Sequence, residues 1–483
     1  MRVFITGATG LVGRALTLRL LGGGHRVTAW TRSAQRARNL LGPDVRIVSG
    51  EEPEALSAEI AQADAVVNLA GEPVLGGRWT AQRRQELWQS RVGLTAAMVA
   101  AIEQAQSRPA VLISASAVGY YGDRGDELLD ESSRPGTDFL ARLCCEWEQA
   151  ALRAKQSGVR VFIARLGIVL ALDGGALPRM LPPFQAGAGG PIGSGRQWMG
   201  WIHLLDAVEI LAAALQDDRF AEPVIAAAPA AVSNLQFSRA LAGVLRRPSF
   251  VPVPAFALRA MFGEGAGVLT AGQRVIPLRL TELGFKWRFD NLEAALRDLL
   301  SDGNPVIGAF DRSSPPPSNP NASRYLETNP PRYLLRHQTR IDEAPAAEVF
   351  SFFAKAQNLG LITPADLRFQ ITGPIPDQMS RGTPIEYQLR VSGVPLKWRT
   401  VIEAWQPESL LIDFQDKGPY RCWWHEHHFQ PAGGATLMED RVYFAPPFGA
   451  VGAAASRLLV MPALRRIFRF RGHAIRLRFP SSS

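Results

Sequence analysis

Lysine and cysteine are the scarce residues of this chain. Only five of its 53 basic residues are lysines, at 155, 286, 355, 397 and 417. An arginine share that high reads as a bias spread over the whole sequence, so the net charge of +9 is weak evidence for a polyanionic partner. No recognised nucleic-acid module accompanies the charge, and no nucleic-acid partner is expected. The three cysteines, Cys144, Cys145 and Cys422, are odd in number and two are adjacent. They allow neither a disulfide framework nor a CxxC metal knuckle, which suits a reducing compartment. Long apolar runs are missing as well, since nothing approaches the roughly 18 residues of a membrane span. The chain opens on Val3-Phe4-Ile5 without the regions of a signal peptide, so a cytoplasmic protein is expected.

The composition is that of folded globular protein, with 47% hydrophobic and 20% charged residues, and 483 residues suffice for two to four folding units. Up to about residue 300, short β-branched runs (3–6, 26–31, 45–48, 65–69, 110–114, 159–164) alternate with amphipathic stretches (11–21, 81–104, 139–155). That rhythm predicts an α/β doubly wound parallel sheet, a Rossmann fold. Residues 302–332 carry seven prolines from 305 to 331, including Pro315-Pro316-Pro317, and read as a semi-rigid linker. From 333 to 483 alternating strands (384–391, 397–405, 421–429) precede a closing helix over about 450–471, an α+β pattern.

Directly after the first strand stands Gly7-Ala8-Thr9-Gly10-Leu11-Val12-Gly13. Glycines at this spacing allow a tight turn, close backbone approach to a pyrophosphate, and packing of helix on sheet. The helix start supplies free N–H groups to the anion. At the end of the second strand, where a carboxylate would hold the ribose of NAD, the residues are Thr31, Arg32 and Ser33. A cation and two hydroxyls suit a 2′-phosphate, so NADP(H) is the expected cofactor. Asn68-Leu69-Ala70-Gly71 and Ser114-Ala115-Ser116 follow later strands and meet the same crevice. Arg83, Arg84, Ser90 and Arg91 on the next helix offer either a substrate contact or a solvated cationic face.

These residues, with Ser114–Gly122 (SASAVGYYG), Phe139–Glu148 (FLARLCCEWE), Arg165–Leu170 (RLGIVL) and Trp201-Ile-His203, resemble the extended short-chain dehydrogenase/reductase superfamily and its atypical epimerase-family branch. The resemblance spans residues 1–301 and implies a small substrate-capping lobe at about 170–200 and 220–300. It also implies an NADP(H)-dependent oxidoreductase or epimerase-like activity on a small molecule, with Arg165 beside the cofactor and Trp201 and His203 near substrate. Active members of that superfamily use a Tyr-x-x-x-Lys pair as acid/base; the matching positions here are Leu140 and Cys144. The serine survives as Ser116, with Ser114 nearby, and Tyr121 or Tyr120 is left to supply a phenol. A non-catalytic NADP(H) sensor is the alternative reading. The glycine-rich stretch 187–195 reads as a mobile loop over substrate or an ordinary surface loop.

In the last third, residues 336–350, 358–362 and 418–429 resemble the START-like superfamily of polyketide cyclases and lipid-transport proteins. The resemblance implies a helix-grip fold holding an apolar small molecule. Strand 421–429 puts Trp423, His425, His427 and Phe429 on one face and Cys422, Trp424, Glu426 and His428 on the other, one of which should line the cavity. His425 and His427 have no third ligand in sight, so no metal is expected. From Arg441 onward there are eight arginines and no acid. That end either docks on an anionic membrane, as peripheral contact, or forms the solvated face of the closing helix.

Overall fold

Val3, Phe4 and Ile5 are buried on both sides of their strand, as apolar runs are in a sheet covered by helices on both faces. In the computed structural model, residues 51–52, 255, 257, 259, 261–262, 301–304, 312–319, 376–378, 392 and 481–483 are left undescribed and all others are described. The chain forms two units, Met1–Ala37 with Asp44–Ser301, and Arg38–Pro43 with Asp302–Ser483.

The first unit is built on β1 (Arg2–Thr6), β2 (Arg26–Thr31), β3 (Arg46–Ser49), β4 (Ala65–Asn68), β5 (Val111–Ala117), β6 (Arg160–Leu166) and β7 (Val224–Ala226). All neighbours pair in parallel, in the order β7-β6-β5-β4-β1-β2-β3. The sheet order therefore reverses between β1 and β4, and the ligand crevice of such a sheet lies outside the carboxyl ends at that point. Phe4, Val66, Leu112, Met98, Ile102 and Ile163 share one of its cores. The long helix expected after β4 is interrupted: Ala81–Trp88 and Leu94–Gln104 are joined by a π-helical turn at Gln89–Gly93. Such turns gather at functional sites.

The second unit holds β8 (Val306–Ala309), β9 (Tyr333–Ile341), β10 (Gln370–Ile371), β11 (Pro384–Val391), β12 (Val394–Gln406), β13 (Leu410–Lys417), β14 (Cys422–Ala432) and β15 (Ala435–Ala445). They form one antiparallel sheet ordered β8-β9-β15-β14-β13-β12-β11-β10. The helix Met461–Arg478 packs Leu464 and Phe468 on one face, against Leu335, Trp423 and Phe444.

Three expectations need correction here. The 302–332 linker supplies β8, which pairs with β9, and a helix, Pro320–Thr328, whose Ala322, Tyr325 and Leu326 pack on Ile412, Cys422 and Trp424. Apolar residues lie between the prolines and outweigh the breaker signal; Pro315–Pro317 lie outside the described residues. Both faces of β14 are consequently covered, not one. The closing helix runs on to Arg478, because Ile475 and Leu477 are buried too. Along it the apolar stripe packs on the sheet, Arg471 is buried against Asp440 and Arg466 pairs with Asp366, while Leu458 and Leu459 just before it are exposed. Among the described residues no helix is long and apolar enough to cross a membrane.

Candidate functional site

β1 ends at Thr6 and the chain turns through Gly7 into the helix Leu11–Gly22. Gly7 has φ +74°, and a Cβ there would lie 2.5 Å from the Leu69 carbonyl and 2.6 Å from the Ala70 nitrogen. The turns after β1 and β4 thus meet backbone to backbone. A Cβ at Gly13 would stand 2.2 Å from the Gly7 oxygen, so the first helical turn packs on the loop itself. Exposed Gly10 is the N-cap and no side chain caps the helix. Its first-turn N–H groups, flanked by half-exposed Thr9, Leu11 and Val12, are left to an anion such as a pyrophosphate.

Asn68 does not reach this opening through its side chain. It is fully buried, accepts a bond from Thr6 Oγ1 (2.8 Å) and donates to Thr95 Oγ1 (2.7 Å). Ser114, equally buried, hydrogen-bonds the Ala115 carbonyl. Both hold the strand ends in register, and the crevice wall is left to half-buried Leu69 and Ala70 and exposed Gly71.

At the end of β2, the Ser33 N–H donates to Thr31 Oγ1 and Ser33 Oγ accepts from the Arg36 N–H, which start the next helix. The Arg32 side chain is 82% exposed and lies 2.9 Å from Glu72 on the loop after β4. That loop is fastened from below. Ser90 Oγ accepts from the Glu72 N–H, Arg91 donates to the Glu72 carbonyl (2.9 Å), and Arg83 donates to the Pro73 carbonyl. Arg83, Ser90 and Arg91 are therefore only partly exposed, with polar atoms engaged in holding this loop. Arg83 also pairs with Glu86 on its own helix, and Arg84 pairs with Glu264.

Behind the crevice sits a buried polar network. Ser116, across from Arg165 in the β5–β6 register, donates to Glu148 Oε1 at 2.6 Å. Glu148, on the helix Phe139–Leu152, is gripped by two parallel bonds from Arg165, at 2.9 and 2.8 Å, with both side chains 5% exposed. Arg165 also donates to the Tyr121 hydroxyl (2.9 Å) and lies 3.6 Å above the Tyr120 ring. Burial opposes the charge on Arg165, but the Glu148 carboxylate outweighs it and raises its pKa. Burial pushes Tyr121 up, and Tyr120 up as well, against the pull of Arg165. The buried Cys144 thiol is pushed by burial to about 12.

The candidate catalytic residues are accordingly rearranged. Leu140 packs in an apolar cluster with Trp79, Leu87 and Leu143. Ser116 has its proton on Glu148, and Tyr121 is fully buried. Tyr120 is half-buried, and it is the phenol in this network that solvent reaches. Burial keeps both phenols protonated, so the arrangement supplies a proton donor.

At the boundary of the expected capping lobe, Trp201 is buried and donates to the Ala230 carbonyl. His203 is buried as the N-cap of helix Leu204–Gln216, with Nδ1 accepting from the Leu205 N–H and Nε2 3.3 Å from Asp298. Neither is presented to a substrate; a strand end that starts a helix needs a cap, and this imidazole provides it. Asp206 accepts from the N–H groups of Arg288 and Phe289. The 187–195 stretch is also fastened, through Gly193 N–H to the Val253 carbonyl and Ile192 N–H to Asn234.

Sequence reasoning missed Arg14 and Asp173, a buried ion pair (3.0 Å) that ties residues 171–175 to the glycine-loop helix, where Gly174 and Gly175 border Leu11. It quoted Glu148 only as part of a motif. The signal was available: a lone acid on the apolar face of Leu143, Trp147 and Ala151 needs a buried cation.

Fold and glycine loop define a dinucleotide-binding α/β protein. The model of the NAD dependent epimerase/dehydratase family matches residues 3–226, and that of a domain of unknown function, DUF1731, matches 253–299. The chain is 43% identical over 304 residues to the chloroplastic SDR39U1 homolog of Arabidopsis thaliana, covering 62% of this chain and 87% of that one. It is 36% identical to human epimerase family protein SDR39U1, over 62% of this chain and the whole of that one. The crystal structure of the human protein (isoform 2) with NADPH is similar at TM-score 0.56 and 35% identity, covering 62% of this chain and 98% of that one. A Bacillus cereus UDP-glucuronic acid 4-epimerase shares the fold, at TM-score 0.51 and 16% identity, over 62% of this chain and 97% of that one. This chain belongs to the epimerase family.

Proposed function

We propose that residues 1–301 bind NADP(H) and act as an oxidoreductase or epimerase-like enzyme on a small molecule. The observation that carries this reading is the pair of glycines with no room for a Cβ, set under an uncapped helix at the reversal point of the sheet. Gly7, Gly10 and Gly13 would cradle the pyrophosphate, and Arg32, with Thr31 and Ser33, the 2′-phosphate. The bound cofactor would supply hydride exchange at its nicotinamide. The human relative solved with NADPH supports the choice of cofactor. Tyr120, kept protonated by burial beside Arg165, would give its proton to the reacting oxygen, with Glu148 and Ser116 fixing Arg165 beneath it.

The antiparallel sheet gripping the helix Met461–Arg478 supports the reading of residues 333–483 as a START-like domain for an apolar small molecule, in a cytoplasmic protein. In this proposal β8 and the helix Pro320–Thr328 belong to that domain.

A panel of aldehydes and ketones offered to the full chain with NADPH tests the enzyme. Turnover that falls about a hundredfold in Tyr120→Phe, within the usual contribution of general acids, supports it. Tight NADPH binding without turnover of any carbonyl selects the second reading, a non-catalytic sensor. That reading is favoured by Leu140, by Cys144 and by the engagement of Ser116 with Glu148.

A further inference from the structure

The second unit holds a cluster that the first unit's chemistry does not use. β13, β14 and β15 are neighbours, and their register sets Asp413 opposite His425 and His427 opposite Asp440. In antiparallel pairs, opposite residues project from the same face. The two imidazoles, with ring centroids 3.9 Å apart, lie side by side between the two carboxylates.

The carboxylates have different roles. Asp440 is 1% exposed and takes Arg471 (3.1 Å) and His425 Nε2 (3.0 Å) on Oδ1, with His337 Nδ1 3.4 Å from Oδ2. His427 Nδ1 is 2.8 Å from Oδ1, off the ideal hydrogen-bond direction. A carboxylate only accepts, so the ring nitrogens beside it carry the protons. In a neutral imidazole the opposite nitrogen is then a bare lone pair. Those nitrogens, His425 Nδ1 and His427 Nε2, are 3.7 and 3.5 Å from Asp413 Oδ2.

With both rings neutral and their protons on the Asp440 side, three lone-pair donors from two strands converge on one point. All three lie within 4.8 Å of one another. Ligand atoms about 2.0–2.1 Å from a tetrahedral ion stand roughly 3.4 Å apart, near the observed separations. A ligating histidine also characteristically gives its other N–H to a carboxylate, as His425 does here to Asp440, with His427 Nδ1 2.8 Å from the same oxygen. Arg471 and Asp440 balance each other, so Asp413 leaves one negative charge to be met by a cation.

We propose that Asp413, His425 and His427 bind a divalent transition metal of the zinc class, with Asp440 as the outer carboxylate that orients both rings. Two imidazoles and one carboxylate leave a fourth position open, which a water or an oxygen of a bound small molecule would take. This reading rests on the cluster alone and stands whether or not residues 1–301 bind NADP(H).

The test is titration of the chelator-treated full chain with Co2+, followed by visible d–d absorption. One equivalent giving the intense bands of a tetrahedral site is expected. Asp413→Asn and His427→Gln, each checked for native circular dichroism, should weaken that uptake at least about a hundredfold, and Asp440→Asn about 10- to 100-fold. Absence of tetrahedral bands in the wild-type chain overturns the proposal, whatever the variants do. So does uptake that a folded Asp413→Asn and a folded His427→Gln both leave unchanged, since the ion would then sit elsewhere.

Discussion

Replacing Glu148 by glutamine should be among the most damaging isosteric changes in the first unit. The glutamine keeps the shape but removes the charge, and it turns one acceptor into an NH2 that faces the guanidinium of Arg165. Arg165 is 5% exposed, and its other described partners are the Tyr121 hydroxyl, the Glu131 carbonyl and the Tyr120 ring. None of these neutralises it. Breaking a buried pair from one side costs about 3–5 kcal/mol, because the surviving charge stays buried. For a unit of this size that is on the order of 6–10 °C in Tm. Calorimetry of the full chain measures the shift, and hydrogen exchange in the helix Phe139–Leu152 and in β6 assigns it to the first unit. The double variant Glu148→Leu with Arg165→Met, which removes both charges, should recover most of the loss. A shift below about 2 °C for Glu148→Gln, or a double variant worse than the single one, would refute the claim that this pair is desolvated and mutually dependent.

Other outcomes follow from the same geometry. Arg32→Ala should weaken NADPH about tenfold or more while leaving NADH nearly unchanged, the worth of one exposed charge-assisted bond; equal loss of both in paired titrations would remove Arg32 from the cofactor site. Glu72→Gln frees Arg32 from its 2.9 Å partner and should strengthen NADPH binding a few-fold, and weaker binding would count against the same assignment. Burial raises the thiol pKa of Cys144 and of Cys422 to about 12, and raises that of Cys145. Raised values leave the protonated, unreactive thiol in place at pH 8, so alkylation followed by mass spectrometry should find all three slow, and rapid labelling of Cys144 would show that its helix opens.

The glycine loop and the sheet were legible because their signals are local: a β-branched run, a GxxGxxG spacing, and a helix within about 20 residues. The place of Arg32 at the end of β2 was legible for the same reason. The network at Ser116 was not, since its partners stand 32 and 17 residues apart and meet only through the β5–β6 register. His203 and Trp201 were placed near substrate by the family resemblance alone, whereas here capping engages one and packing the other. In the second unit, the proline-rich segment concealed Ala322, Tyr325 and Leu326. Asp413 escaped notice because its link to His425 depends on strand register, which spacing alone does not give.

The most direct test of the central claim is isothermal titration of the full chain with NADPH and, separately, NADH. The account predicts one site per chain, with NADPH the tighter ligand, and loss of that site when Gly13→Leu forces a side chain into the Gly7 carbonyl. If the wild-type protein bound neither nucleotide, the crevice between the turns after β1 and β4 would not be a dinucleotide site, and the proposed chemistry of residues 1–301 would fall with it.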